Sequence, residues 1–331
     1  MKMFLKIFCF VLALGLCVCL ISYSNNTAND QIRLVENSKT STPSLRYHFV
    51  MVAQDMNDTF WQSVKTGAEK AGKKYDAAVE FDGPVIKDEE NELKYLSIAI
   101  ASNVDGIVVY VTDKTKFTPL INKAIGKGII VVTIESDDIN SKRKAYIGPS
   151  NYNVGMSEGS LVAEAENGTS NVALILGGNY AENDDASDSL LKGFKYSIST
   201  HTGITLQTVQ NSSTGYFGAE KIIRNILYDF PKIDTVVCTN SNDTLEVVQV
   251  LIDLNKTSNI TVIGYSNSQQ IRDYIKSNDI FGSVYETPED TGYRSIESLA
   301  NILNGKTVPS VINTGVYTIT RNNLLTYSDG S

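Results

Sequence analysis

Two hydrophobic patterns alternate along most of the chain. Short continuous runs such as Gly106-Ile107-Val108-Val109-Tyr110 are apolar at successive positions, as parallel strands covered on both faces are. Between them, longer stretches place apolar residues at helical spacing. The pattern predicts strands over 47–53, 77–81, 105–111 and 128–134, with helices over 60–74, 89–102 and 117–127. A second series predicts strands over 171–176, 204–209, 235–238, 260–264 and 281–284. Its helices fall near 154–166, 186–199, 219–228, 244–254, 269–276 and 291–303. Strands and helices that alternate in this way build parallel sheets through right-handed crossovers. Two such series predict an α/β fold of two doubly wound parallel-sheet domains.

The amino terminus breaks the pattern. Lys2 and Lys6 flank the start of an apolar run from Ile7 to Ile21, about 15 residues, the make-up of a signal-peptide core. A membrane span needs about 20 residues, which the run reaches only by recruiting its flanks. Residues 1–24 are therefore either a signal peptide or a membrane anchor. Both place the rest of the chain outside the cytoplasm, secreted or held at the cell surface. Residues 25–45 are rich in Asn, Ser and Thr and read as a polar linker.

Composition narrows the chemistry. The 331 residues carry 29 Lys+Arg against 37 Asp+Glu, a net charge of −8, which argues against a nucleic-acid partner. Of 4 cysteines, Cys9, Cys17 and Cys19 lie in the apolar run, so Cys238 alone remains in the body. One thiol and two histidines, His48 and His201, make a poor supply for a metal centre or a serine-protease relay. No glycine-rich phosphate motif is present. Neither a cofactor nor a metal is expected, and no catalytic residue is assigned.

Ligands of open parallel sheets bind beyond the carboxyl ends of strands, and several suitable side chains fall there. Asn57 and the aromatic pair Phe60 and Trp61 follow the first strand. Rings of this kind can cover the C–H face of a sugar, or simply pack a helix on its sheet. Tyr110 ends the third strand, and Glu135 follows the fourth. Glu286 precedes Pro288; each carboxylate can accept from two hydroxyls at once. Asn240 and Ser266 follow strands of the second series, where helix capping and turn formation compete with ligand binding. Glu135 and Glu286 could also serve a glycosidase as acid and base if they stood about 5–10 Å apart. The expected cleft favours binding over catalysis.

Several segments, in order, carry a family resemblance. They include Asn57-Asp58-Thr59-Phe60-Trp61-Gln62-Ser63, Val104-Asp105-Gly106-Ile107-Val108-Val109 and Ile147-Gly148-Pro149-Ser150-Asn151. Lys192-Gly193-Phe194, Val262-Ile263-Gly264-Tyr265 and Thr287-Pro288-Glu289-Asp290-Thr291-Gly292 follow. Together they resemble the type I periplasmic sugar-binding proteins, binders of ribose, galactose and xylose. The resemblance implies two lobes joined by a three-strand hinge, with sugar held in the cleft. It implies a first lobe of 46–149 plus 287–313 and a second of 150–286 plus 314–331. By the same resemblance Asn57 and Phe60 line one wall, Glu135 replaces a binding Asp, and Asn240 matches a binding Asn. Ser266 stands where Asp is usual, and Glu286 where ribose binders have Gln. Leu190 and Ser136 stand where ribose binders place arginines, which implies a site with fewer cations and a neutral monosaccharide.

Phe81-Asp82-Gly83-Pro84, Thr133-Ile134-Glu135-Ser136-Asp137 and Cys238-Thr239-Asn240 are similar to clostridial sugar sensors, among them a xylose-responsive one, that work with a membrane histidine kinase. That implies binding of xylose or a similar pentose or hexose. The partner would be a histidine kinase ectodomain, with a dimer in the signalling complex. The alternative is the binding component of a sugar ABC importer, whose partner is a permease.

Overall fold

The computed structural model describes residues 45–182, 184–212 and 218–324. The apolar amino terminus and all but the last residue of the linker lie outside them. The described residues from Tyr47 onward form one compact unit.

The first series opens with β1 (Tyr47–Val52), α1 (Thr59–Lys74), β2 (Ala77–Asp82), α2 (Glu89–Ala101), β3 (Gly106–Val109), α3 (Lys114–Gly126) and β4 (Ile130–Ile134). It closes with β5 (Ala145–Pro149). The second runs α4 (Asn151–Ala165), β6 (Thr169–Leu176), α5 (Asn179–Glu182), α6 (Asp184–Ile198), β7 (Gly203–Asn211), α7 (Gly218–Asp229) and β8 (Thr235–Cys238). It continues with α8 (Ser241–Asp253), β9 (Thr261–Tyr265), α9 (Gln269–Ser277) and β10 (Gly282–Glu286). Finally α10 (Pro288–Leu303) and β11 (Val311–Thr314) return to the first sheet, and β12 (Val316–Thr320) to the second.

The first sheet has the order β11-β5-β4-β3-β1-β2, every pair parallel. The second has the order β12-β10-β9-β8-β6-β7, parallel except for the β10–β12 pair. The chain passes between the sheets three times: after Pro149, after Glu286 and after Thr314. Strand order reverses between β1 and β3 in one sheet and between β6 and β8 in the other, which makes their carboxyl ends the natural crevice.

Alternation along each strand feeds two cores per sheet. Phe49, Met51, Val108 and Val132 meet Val64 and Ala68 of α1 and Leu299 of α10 on one face. Val50, Val52, Ile107 and Val131 meet Leu96 of α2 and Phe117 of α3 on the other. The second sheet repeats the arrangement between α4 with α6 and α7 with α8 and α9. This double coverage is why the strands read as unbroken apolar runs.

The hydrophobic pattern missed β5, β11, β12 and the four-residue α5. β5 ends in Gly148-Pro149, while β11 and β12 are short, partly exposed edge strands. Their pairing is supplied by neighbours distant in sequence rather than by a local period. Among the described residues no helix is long and apolar enough to cross a membrane.

Candidate functional site

At the end of β4, the Glu135 N–H donates to the Ile147 carbonyl at 3.0 Å, and the Ser136 N–H closes a three-residue turn onto the Ile134 carbonyl at 2.6 Å. Glu135 is the centre of that turn and has φ 61°. Such a γ-turn with positive φ is the rare, strained form. Across the molecule, Ser266 after β9 has φ 103°. The other non-glycine residues with positive φ among those described are Asp76, Asn103, Asn167, Asn255 and Asn278. All five are Asp or Asn at the ends of helices, a type and place that tolerate this geometry. Glu135 and Ser266 have no such local excuse. Backbone strain at two strand ends facing one crevice points to function there.

The turn brings the Glu135 carboxyl beside that of Glu286, the last residue of β10, near enough for the two acids to influence each other's ionisation. Thr291 Oγ1, from the first turns of α10, donates to Glu135 Oε1 at 3.1 Å. The Tyr265 hydroxyl, at the end of β9, donates to Glu286 Oε1. The Tyr146 hydroxyl of β5 lies 3.3 Å from the carbonyls of both Glu135 and Pro149. The Tyr180 hydroxyl of α5 donates to Asn151 Oδ1 at 3.3 Å.

Burial, then the Glu286 charge, pushes the Glu135 carboxyl well above the usual range. Burial raises Glu286 to about 6, opposed by its bonds from Tyr265 and Glu135. The phenols of Tyr146, Tyr180 and Tyr265 are also pushed well up, first by burial and then by the neighbouring carboxylates. The arrangement is a set of hydroxyls and half-buried carboxyls contributed by both sheets. Arg143, near the same strand ends, is held by Asp137, with Nε and an NH2 group at 2.7 and 2.5 Å from the two carboxylate oxygens. Leu190 and Ser136 are both buried, and the Ser136 hydroxyl donates to the Val111 carbonyl at 2.7 Å.

The aromatic candidates form one patch. Trp61 is buried, meeting Phe60 edge-on at 5.6 Å and Tyr110 edge-on at 6.0 Å between ring centres. Its ring packs α1 onto the sheet, while Phe60 is the half-exposed member. Asn57 is exposed, and its N–H donates to Asp55 Oδ1 at 2.8 Å. The cap of α1 is Asp58, which accepts from the Phe60 N–H at 2.7 Å.

In the second sheet, Asn240 caps α8. Its Oδ1 accepts from the Asp243 N–H at 2.9 Å, and its Nδ2 donates to Asp243 Oδ2 at 2.6 Å. Both ends of that amide are thereby engaged. Ser266 is fixed by its backbone: its N–H donates to the Val284 carbonyl at 2.8 Å, and its carbonyl accepts from Ser283 Oγ at 2.7 Å. The structure thus places Glu135 beside Glu286 and sets Phe60, Trp61 and Tyr110 edge to face. Asn57, Asn240 and Ser266 stand at the expected strand ends, each held by its own local bonds.

Tyr146, Tyr180, Tyr265 and Thr291 complete the cluster and were not among the sequence-derived candidates. Tyr146 sits in the unrecognised β5 and Tyr180 in the unrecognised α5. Tyr265 lay within a noted motif, and its position at a strand end was the available signal.

A family model described as a periplasmic binding protein domain matches residues 49–307. The chain belongs to this family. It lies in the type I, sugar-binding branch, whose members are binders and not enzymes. Among curated relatives of this periplasmic binding protein, the D-ribose/D-allose-binding protein of Pseudomonas aeruginosa is 21% identical over 266 residues, covering 78% of this chain and 82% of the relative. The ribose import binding protein RbsB of Bacillus subtilis is 23% identical over 261 residues, with the same coverage.

Among solved structures, GanP, a glucose-galactose binding protein from Geobacillus stearothermophilus, is 29% identical with TM-score 0.78, covering 84% of this chain and 98% of GanP. XylFII, 28% identical with TM-score 0.72, covers 83% of this chain and 98% of its own. XylFII in its complex with LytSN matches at 27% identity and TM-score 0.73, over 83% of this chain and 98% of that one. Family membership places the body of the chain outside the cytoplasm.

Proposed function

We propose that this protein closes its two lobes on an uncharged monosaccharide, xylose or a similar pentose or hexose, and signals the closure to a membrane histidine kinase. The observation that carries the sugar reading is the Glu135–Glu286–Tyr265–Thr291 cluster, in which both sheets contribute polar groups to one half-buried place. A sugar hydroxyl that leaves water needs a replacement partner, and these groups supply donors and acceptors together. Asn57, Phe60, Trp61, Tyr110, Asn240 and Ser266 are the further side chains proposed to line the cleft. Groups from both lobes engage the sugar only when the cleft shuts, so the ligand shifts the population toward the closed form.

The kinase assignment is supported by the likeness to XylFII, which is seen in complex with LytSN. It is also supported by the Lys-flanked apolar run at the amino terminus, which would anchor the sensor beside its kinase. The importer alternative draws on the ribose import binding protein among the relatives. Affinity capture from membranes with and without sugar tests the choice. Recovery of a histidine kinase is expected; recovery of permease subunits without a kinase overturns the sensor reading.

A further inference from the structure

The acid pair is the least explained feature of the cleft. Two half-buried carboxyls from different sheets stand side by side, and the groups around them are hydroxyls and acids. Thr291 faces Glu135 from α10, and the acids of that helix's first turn point elsewhere: Glu289 pairs with Lys70 and Asp290 with Arg294. Tyr146 faces the pair from β5, Tyr265 from β9 and Tyr180 from α5, with Tyr110 near Tyr146. Asp137, in the loop after β4, is neutralised by Arg143. Buried Glu158 of α4 lies near enough to Tyr180 to act on its phenol.

Two ionised carboxylates in contact repel, and neither can donate a hydrogen bond. One proton between them removes the repulsion and creates a donor. Each carboxyl accepts one hydroxyl bond, Glu135 from the Thr291 alcohol and Glu286 from the more acidic Tyr265 phenol, so Glu286 is the better-stabilised anion.

We propose that the closed, sugar-bound cleft holds one proton on this pair, with Glu135 a neutral acid donating to a sugar oxygen and Glu286 a carboxylate accepting from sugar hydroxyls, so that binding is proton-linked and anionic sugars are refused. The inference rests on the sugar-binding reading. Its proton balance is simple. In the open form water solvates both carboxyls and Glu135 ionises; closing takes one proton from solvent onto Glu135, and opening returns it. Because closure takes up a proton, affinity falls as pH rises, by at most about tenfold per unit. A ligand carboxylate would add a second buried negative charge beside Glu286, with no free cation among the named neighbours to balance it.

Two sugar series test this by titration calorimetry between pH 5.5 and 8.5: D-xylose, D-glucose and D-glucuronate, then L-arabinose, D-galactose and D-galacturonate. Within each series the ring is the same and only the group at C5 changes. At pH 7.5, phosphate and Tris buffers should give different heats, equivalent to uptake of up to one proton per sugar. Affinity for the best neutral sugar should weaken at least tenfold from pH 6 to 8.5, and its uronate should bind at least tenfold more weakly. In Glu135→Gln, which can donate but cannot ionise, the readout is the slope: the pH dependence and the buffer difference should both vanish, whatever the absolute affinity. A neutral sugar that binds equally at all pH values without proton uptake overturns this inference and leaves the sugar reading intact. So does a uronate that binds as tightly as its parent. If none of the neutral sugars binds at any pH, the sugar reading and this inference fall together.

Discussion

Glu92 shows how a single buried carboxyl sets a pH dependence outside the cleft. It lies on α2, buried, with Oε2 accepting from Thr112 Oγ1 at 2.5 Å and Oε1 unpartnered. Burial raises its pKa to about 7, opposed by the Thr112 bond. The unfolded chain releases this proton near the ordinary glutamate pKa of about 4.3. The contribution of neutral Glu92 is therefore complete below about pH 4 and is lost as pH rises toward 7, on the order of 2 kcal/mol. Glu92→Gln should keep the Thr112 bond and remove the penalty. Urea melts at pH 5 and pH 8 should show the variant losing less stability than the parent across that interval; equal losses would refute the assignment. Glu158, fully buried on α4 with both oxygens unpartnered, is raised by burial in the same direction. Glu158→Gln should likewise gain most, relative to the parent, on the alkaline side.

At the scale of elements, the two halves repeat one packing device. α1 crosses α10 where a Cβ on Gly67 would lie 1.8 Å from the Glu289 carbonyl oxygen, and one on Gly292 would lie 1.9 Å from that of Val64. α4 crosses α6 in the same way, with a Gly155 Cβ 2.0 Å from the Leu190 carbonyl oxygen and a Gly193 Cβ 1.9 Å from that of Tyr152. Backbone cannot yield as a side chain can, so Gly67→Ala and Gly193→Ala should each cost about 3 kcal/mol by denaturant melts. Gly126, at the end of α3 with no atom within 4 Å of its added Cβ, is the control. Gly126→Ala should be neutral or stabilise by up to about 1 kcal/mol.

Legibility also divides at this scale. Strands such as β3 and β8 were plain because each is buried on both faces and apolar throughout. β11 and β12 were not, because β11 pairs with β5, a strand far earlier in the chain, and β12 pairs with β10 only after the whole of α10 and β11, so neither leaves a local period. Glu135 and Glu286 could be picked as carboxylates at strand ends. Their contact could not, since it depends on how two separate sheets face one another. Tyr146 and Tyr265 read as ordinary strand residues because tyrosine is a good strand former.

For the whole molecule, the three chain passages after Pro149, Glu286 and Thr314 join one sheet to the other among the described residues, and a hinge there would leave both sheets intact. Lys114 at the start of α3 also reaches Asp185 of α6, an ion pair between elements packed on different sheets. Asp185 is largely exposed, and such pairs contribute little in salt. Lys114→Ala should therefore change sugar affinity less than about threefold at physiological ionic strength, a result that would place the closing energy in the cleft rather than at its rim. X-ray scattering should show the radius of gyration falling on addition of a binding sugar. An unchanged radius at saturation would exclude hinge closure.

The central claim is that the Glu135–Glu286 cluster grips an uncharged sugar. The most direct measurement is calorimetric titration of the six-sugar panel at pH 6 into the parent protein and the Glu135→Ala/Glu286→Ala double variant, with circular dichroism confirming that the variant is folded. The account predicts a single saturable site per chain for at least one neutral sugar. Affinity in the folded double variant should be weaker by at least about thirtyfold, as loss of buried charged hydrogen-bond partners worth about 2 kcal/mol requires. Absence of binding by every neutral sugar, or binding undiminished in the folded double variant, would contradict it.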